Sequence, residues 1–102
     1  MIEIQAGRIT SVNRPGAAVT EDLGDVTLLP GLMDLHTHLT GNLEAESFMR
    51  PVRETAADEA LRGAANARTT LLAGFTTVRN LGSGGFSGVA LARGVELSLI
   101  PI

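Results

Sequence analysis

The sequence predicts an α/β fold, in which a small β unit is followed by a strand, a helix and a second strand. Three observations carry this expectation. Residues 32–39, "LMDLHTHL", split by parity into two faces, as an extended strand does. Residues 55–74 form a capped run long enough to serve as a crossover helix. A short β-branched stretch, "FTTVRNL" at 75–81, follows it directly. Two strands joined through a helix favour parallel pairing. With 102 residues and 44% hydrophobic content, the chain supplies one small domain at most.

In sequence order, Ile2 and Ile4 alternate with Glu3 and Gln5, "AGR" supplies a turn, and "RITSV" resumes the alternation. A hairpin joined near Gly7 is expected. "NRPGAA" at 13–18 is turn chemistry, with Pro15 fixing φ. "VTEDLGDVTLLPG" predicts a short strand, a turn around Gly24-Asp25 and a strand from Val26 to Leu29. Residues 40–54 show no sustained period and contain Gly41 and Pro51, so a loop is expected there, with a helical turn around Leu43 to Met49. Thr55 followed by Asp58 is a capping pair, and Ala57, Leu61, Ala64, Leu71 and Leu72 fall near one face of the helix it opens. Gly74 stands where a helix stop belongs. Gly63 inside the helix costs about 1 kcal/mol against Ala and permits close packing. After the second strand comes a glycine-rich loop, "GSGGFSG", and a short helix through "VALARGVEL". The closing "SLIPI" accumulates apolar residues where a further strand is expected, which predicts a truncated polypeptide.

Composition excludes several classes of function. The net charge of −3 offers no basic patch for nucleic acid or an anionic membrane. All eight cationic residues are Arg, so no Lys nucleophile or Schiff base is available. There is no Cys, hence no disulfide and no thiolate metal site. Charges interleave from Glu3 onward without the apolar core of a signal peptide, and no apolar run reaches the roughly 18 residues of a membrane span. A cytoplasmic location is the expectation.

His36 and His38, the two histidines of the sequence, close the block "LLPGLMDLHTHL". At i and i+2 on a strand, both imidazoles point the same way and converge on one cation, with the backbone fixing their directions in advance. Asp34 lies one step deeper on the same face, placed to orient an imidazole or another buried donor; direct ligation by Asp34 is a weaker expectation. The bland alternative is two surface histidines at a strand end.

The wider pattern resembles the amidohydrolase superfamily, in particular the N-terminal portion of its imidazolonepropionase and Xaa-Pro dipeptidase-like members. The matching stretches are "GRITSV" at 7–12, "LGDVTLLPGLMDLHTHL" at 23–39, "LLAGFTTVRNLGSGG" at 71–85 and "GVALARGVELSLIPI" at 88–102. The resemblance implies a (β/α)₈ metal-dependent hydrolase barrel preceded by strands of a small β-sandwich. Residues 1–30 are then part of the sandwich and 31–102 the first two β/α units, incomplete against the roughly 250 residues of such a barrel. It implies that His36 and His38 ligate a divalent metal, most plausibly zinc, with one or two ions in the full-length enzyme. Relatives complete the site with a carboxylated Lys or a Glu, further histidines and a late Asp; with no Lys here, the bridging-Lys version is impossible within these residues. Where relatives often carry Asp after "TVR", Asn80 stands here, which leaves an acidic role there unsupported.

The activity so implied is hydrolysis of a C–N bond in an amide, a cyclic amide or a dipeptide, by water that the metal acidifies while polarising the scissile carbonyl. No residue among the 102 is assigned as the catalytic acid or base, and they are expected to be inactive in isolation. The partner is a small molecule or dipeptide, with a homo-oligomer possible and neither nucleic acid nor membrane involved. The competing expectation is a truncated, non-catalytic oligomeric or binding module, since two strands leave sheet edges and an apolar face open. Gly82–Gly88 follows a strand and opens a helix, as a phosphate cradle does, but fits neither G-x-G-x-x-G nor a P-loop. Arg79 just before it is read either as reaching a substrate carboxylate or as a surface ion pair.

Overall fold

The structure, a computed structural model, describes residues 1–16 and 18–100. Ala17, in the turn expected at 13–18, and Pro101 and Ile102, at the approach to a further strand, lie outside the described residues. The first element is an antiparallel hairpin, β1 (Ile2–Gln5) and β2 (Arg8–Val12). Its two-residue turn has positive φ at both Ala6 and Gly7 (50° and 73°), the handedness that matches the twist of paired strands.

The strands expected within 19–29 do not form. Val19, Leu23, Val26, Leu28 and Leu29 are exposed and run without a ladder partner among the described residues. An extended segment becomes a strand only when its N–H and C=O groups find a second one. The local turn does survive: the Asp22 carboxylate accepts from the Gly24 amide at 2.9 Å.

β3 (Leu32–Thr37) and β4 (Phe75–Asn80) pair in parallel, as the crossover order requires. The Leu32 amide donates to the Gly74 carbonyl (2.8 Å) and the Leu81 amide to that of Thr37 (2.9 Å), so the offset is the same at both ends. A one-residue slip between them places Asp34 opposite Val78. β3 stops two residues short of the expected end, because the backbone turns at once: the Gly41 amide donates to the His38 carbonyl at 3.0 Å. Gly31 leads into β3 at close range to Thr76, where any Cβ would collide with the threonine side chain.

In the 40–54 connection a 3₁₀ turn at Ser47–Met49, inside the expected stretch, runs on into the single-turn α1 (Arg50–Arg53). Pro51 sits at its start, where a missing N–H is harmless. α2 (Ala56–Leu72) carries the full capping box: the Asp58 amide donates to Thr55 Oγ1 and the Thr55 amide to the Asp58 carboxylate. Gly74, at φ 96°, ends it.

The face of α2 that packs is not the leucine face. Leu61 and Leu72 are 74% and 70% exposed, whereas Ala60, Gly63, Ala67 and Thr70 are buried or half-buried. Small side chains at spacings of three and four let α2 approach β4 and α3 (Ser87–Glu96) closely. A Cβ on Gly63 would lie 2.8 Å from Leu91 Cδ2 and 3.1 Å from Thr40 Cγ2. Among the described residues Leu91 is the one large apolar side chain that is buried. No described helix is long and apolar enough to cross a membrane.

Candidate metal centre

Both histidines stand where β3 gives way to its C-terminal turn. His36 is on the strand, His38 one residue past it, and both side chains are exposed. Their ring centres are 5.5 Å apart with planes inclined at 57°. Two imidazoles on one tetrahedral ion, with metal–nitrogen bonds of about 2.0–2.1 Å, have ring centres roughly 5 Å apart. The separation of the two rings is close to that of two ligands on one ion. Among the described residues no group of three or more His, Asp or Glu is gathered to supply further ligands.

Different devices hold the two rings. Asp34 is half-buried, and its carboxylate accepts from the backbone N–H of His36 at 2.9 Å. Of the two expected partners, an imidazole or another donor, Asp34 thus takes a donor of the His36 backbone. His38 rests against Gly82: a Cβ there would fall 3.0 Å from Nδ1 and 3.1 Å from Cε1. Asn80, at the end of β4, accepts from the Leu39 amide at 2.8 Å, tying the two strand ends together.

Beside His38 lies a polar pocket of about 200 Å³, lined by Thr40, Arg50, Glu59, Arg62 and Gly82–Gly84 among others. Its cations are already committed. Arg50 pairs with Glu44 and Glu54, and Arg62 pairs with Glu54 while donating to the Thr40 carbonyl at 3.1 Å. Glu54 Oε2 is buried, and its partner there is Arg62, with which it forms an ion pair. The exposed Glu44 carboxyl is held below the usual carboxylate range by the Asn42 amide first and by Arg50 second. Asp58 is also lowered, through its bonds with Thr55.

The glycine-rich loop is satisfied from within. Glu59 on α2 accepts from the Gly84 amide (2.9 Å) and the Ser87 hydroxyl (2.7 Å), so one of the protein's own carboxylates occupies the anion-favouring entrance of α3. This removes the phosphate-cradle reading in its simple form. Arg79 is exposed and forms no ion pair among the described residues, while its carbonyl accepts from Thr37 Oγ1 at 3.2 Å.

Glu59, Arg62 and Asn66, on α2, have supporting roles that escaped the sequence reading. The Asn66 amide nitrogen donates to the Leu39 carbonyl and to Asn42 Oδ1, both at 2.7 Å, bracing the turn after His38. The signal was present as a polar stripe at spacings of three and four along α2, overshadowed by the neighbouring leucines. α2, α3 and β4 also enclose a larger apolar groove of about 890 Å³, lined by Leu71, Val78, Leu91, Val95 and Ile100 among others. That groove also reaches Leu39, Asn80 and Ser83, and neither histidine lines it.

Residues 27–99 match the model of the amidohydrolase family. Among curated proteins, an allantoinase of Streptomyces avermitilis is 41% identical over an alignment of 63 residues that covers 55% of this chain. The match spans 14% of the allantoinase, so the 102 residues answer to a small part of that relative's length.

Proposed function

The chain belongs to the amidohydrolase family, and we propose that it forms the N-terminal portion of a metal-dependent hydrolase acting on C–N bonds. Residues 1–30 contribute to a β-sandwich and 31–102 form the first two units of a (β/α)₈ barrel. The parallel β3–β4 pair and the position of the histidines at a strand's C-terminal end support this, since barrel sites gather at that end. The observation that carries the reading is the side-by-side placement of His36 and His38, 5.5 Å between ring centres, within the family-matched segment.

In this reading His36 and His38 hold a divalent ion, and zinc suits imidazole donors best. When bound, such an ion supplies Lewis acidity toward a carbonyl and makes water a usable nucleophile near neutral pH. The protein's own residues prepare the place: β3 orients both rings, Asp34 fixes the His36 backbone, and Gly82 gives the His38 ring a flat wall. The substrate is a small amide, cyclic amide or dipeptide in the cytoplasm. The relative whose name marks it as acting on allantoin supports a small molecule, and the motif's likeness to imidazolonepropionases and Xaa-Pro dipeptidases supports the same size class.

In the full-length protein, the double variant His36→Ala/His38→Ala should lose bound metal and at least roughly a thousandfold in hydrolysis, with its fold retained. Full activity in that variant removes the assignment. A second reading, a non-catalytic module that self-associates, is favoured by one observation: Met33, Leu35, Leu61 and Leu72 are all exposed.

A further inference from the structure

The glycine-rich loop after β4 begins at Gly82, on which the His38 ring rests, and a carboxylate from α2 holds that loop. Glu59 is half-buried, and its Oε2 accepts from the Gly84 amide at 2.9 Å and from the Ser87 hydroxyl at 2.7 Å. Ser87 is 1% exposed, so water offers its hydroxyl no alternative acceptor. α3 has no cap of its own: Phe86, just before its first residue, stands in the left-handed region at φ 61° and makes no capping bond. The loop lies tight against α2. A Cβ on Gly85 would fall 2.8 Å from that of Ala56, and a Cβ on Gly84 would fall 2.8 Å from Glu59 Oε1. Glu59 and His38 line the same polar pocket. His36 does not line it, and its backbone N–H donates to Asp34 instead.

We propose that Glu59 is a positioning residue for His38, acting through the loop: its oxygen fixes the chain two residues past Gly82, and Gly82 is the wall of the ring. Two bonds to one oxygen need an acceptor with two lone pairs, which a neutral side-chain amide supplies as well as a carboxylate does. The role is therefore one of acceptor geometry, not of charge. Removing the acceptor leaves the buried Ser87 hydroxyl unpaired and frees the Gly84 amide, so the loop shifts toward other partners. The His38 ring then loses its wall while His36 keeps its direction. The consequence for metal affinity rests on the reading of His36 and His38 as ligands; the consequence for ring placement does not.

The test uses the full-length protein with Glu59→Ala, Glu59→Gln and Gly84→Ala. Gly84 lies outside the left-handed region, so alanine suits its backbone while pushing the Glu59 carboxylate away. Imidazole resonances are recorded by NMR in metal-free protein, those of His36 and His38 being assigned by their loss on replacement with Ala. Zinc and cobalt(II) affinities are measured by competition with a chromophoric chelator, and circular dichroism checks the fold. Glu59→Ala is expected to displace the His38 resonances and leave those of His36 in place. It should weaken metal binding about tenfold, the lower end of the roughly 10- to 100-fold that partners orienting metal ligands contribute. Gly84→Ala should do the same by its separate route, so the proposal stays testable if Glu59→Ala fails to fold. Glu59→Gln should keep both histidines where they are in the parent, a rescue that a role of charge at the α3 entrance would not give. Unmoved His38 resonances in folded Glu59→Ala, equal displacement of both histidines, or Glu59→Gln behaving as Glu59→Ala overturns the proposal. If the parent protein binds no metal while Glu59→Ala still displaces His38 alone, the ligand reading falls and the positioning role stands.

Discussion

His36 and His38 are two residues apart, yet they are held by different partners. His36 owes its backbone position to Asp34, and His38 owes its surroundings to Gly82 and Asn80. Replacing Asp34 with Ala removes the acceptor for the His36 amide, and metal affinity should fall about tenfold without abolition, measured by chelator competition on the full-length protein. Unchanged affinity shows that the strand alone directs the ring. The pairing of the histidines was legible in the sequence because a strand repeats every two residues. What Asp34 bonds to was not legible, because a carboxylate beside an imidazole and beside that residue's own amide are equally available from spacing alone. Gly82 escaped for a related reason: its role depends on a ring from far earlier in the sequence lying across it.

Elements whose signals are local came through the sequence intact. The α2 cap is such a case: Thr55 and Asp58 form the reciprocal bonds their spacing implies. Thr55→Ala should cost about 1 kcal/mol of stability by thermal or urea unfolding. Because the Asp58 carboxyl is lowered in the folded state, its contribution is full above the ordinary carboxylate range and is lost as pH falls through its lowered folded value. Asp58→Asn should therefore flatten that part of the acid limb, and an unchanged limb would show that the cap bonds do not titrate with folding. The packing face of α2 was misread for a physical reason. Hydrophobicity marked Leu61 and Leu72, but close approach selects the small side chains of Ala60, Gly63 and Ala67. Gly63→Ala gains about 1 kcal/mol of helix propensity, yet presses on buried Leu91 and Thr40, where overpacking costs about 1–3 kcal/mol. A net loss of about 1 kcal/mol is expected in unfolding measurements, and a stabilised variant means that Leu91 yields freely. The strands expected within 19–29 failed for the opposite reason, since a strand's signal is local but its partner is not.

At the scale of the molecule, the described residues measure 62 × 28 × 20 Å with a radius of gyration of 18.3 Å, against about 13 Å for a compact domain of this length. Their accessible surface of 8182 Å² exceeds the roughly 5,500 Å² of a folded monomer of this mass. Little apolar surface leaves water within these residues, so hydrophobic burial contributes little to their stability on their own. Residues 1–102 prepared alone should associate or unfold without cooperativity in light scattering and calorimetry; a compact, dispersed monomer with a sharp transition contradicts this. The α/β class and the parallel pair were legible at this scale, because element order dictates them. The open apolar face was legible too, because two strands cannot cover it; which side chains stay exposed was not, because periodicity reports which face is apolar and is silent on what packs there. The central claim is that the neighbouring imidazoles of β3 hold one divalent ion. Zinc-edge X-ray absorption on the full-length protein tests it most directly. The expected result is imidazole nitrogen scattering at about 2.0–2.1 Å, diminished when His36 and His38 are replaced by Ala; a spectrum unchanged by that replacement, or no bound zinc at all, contradicts it.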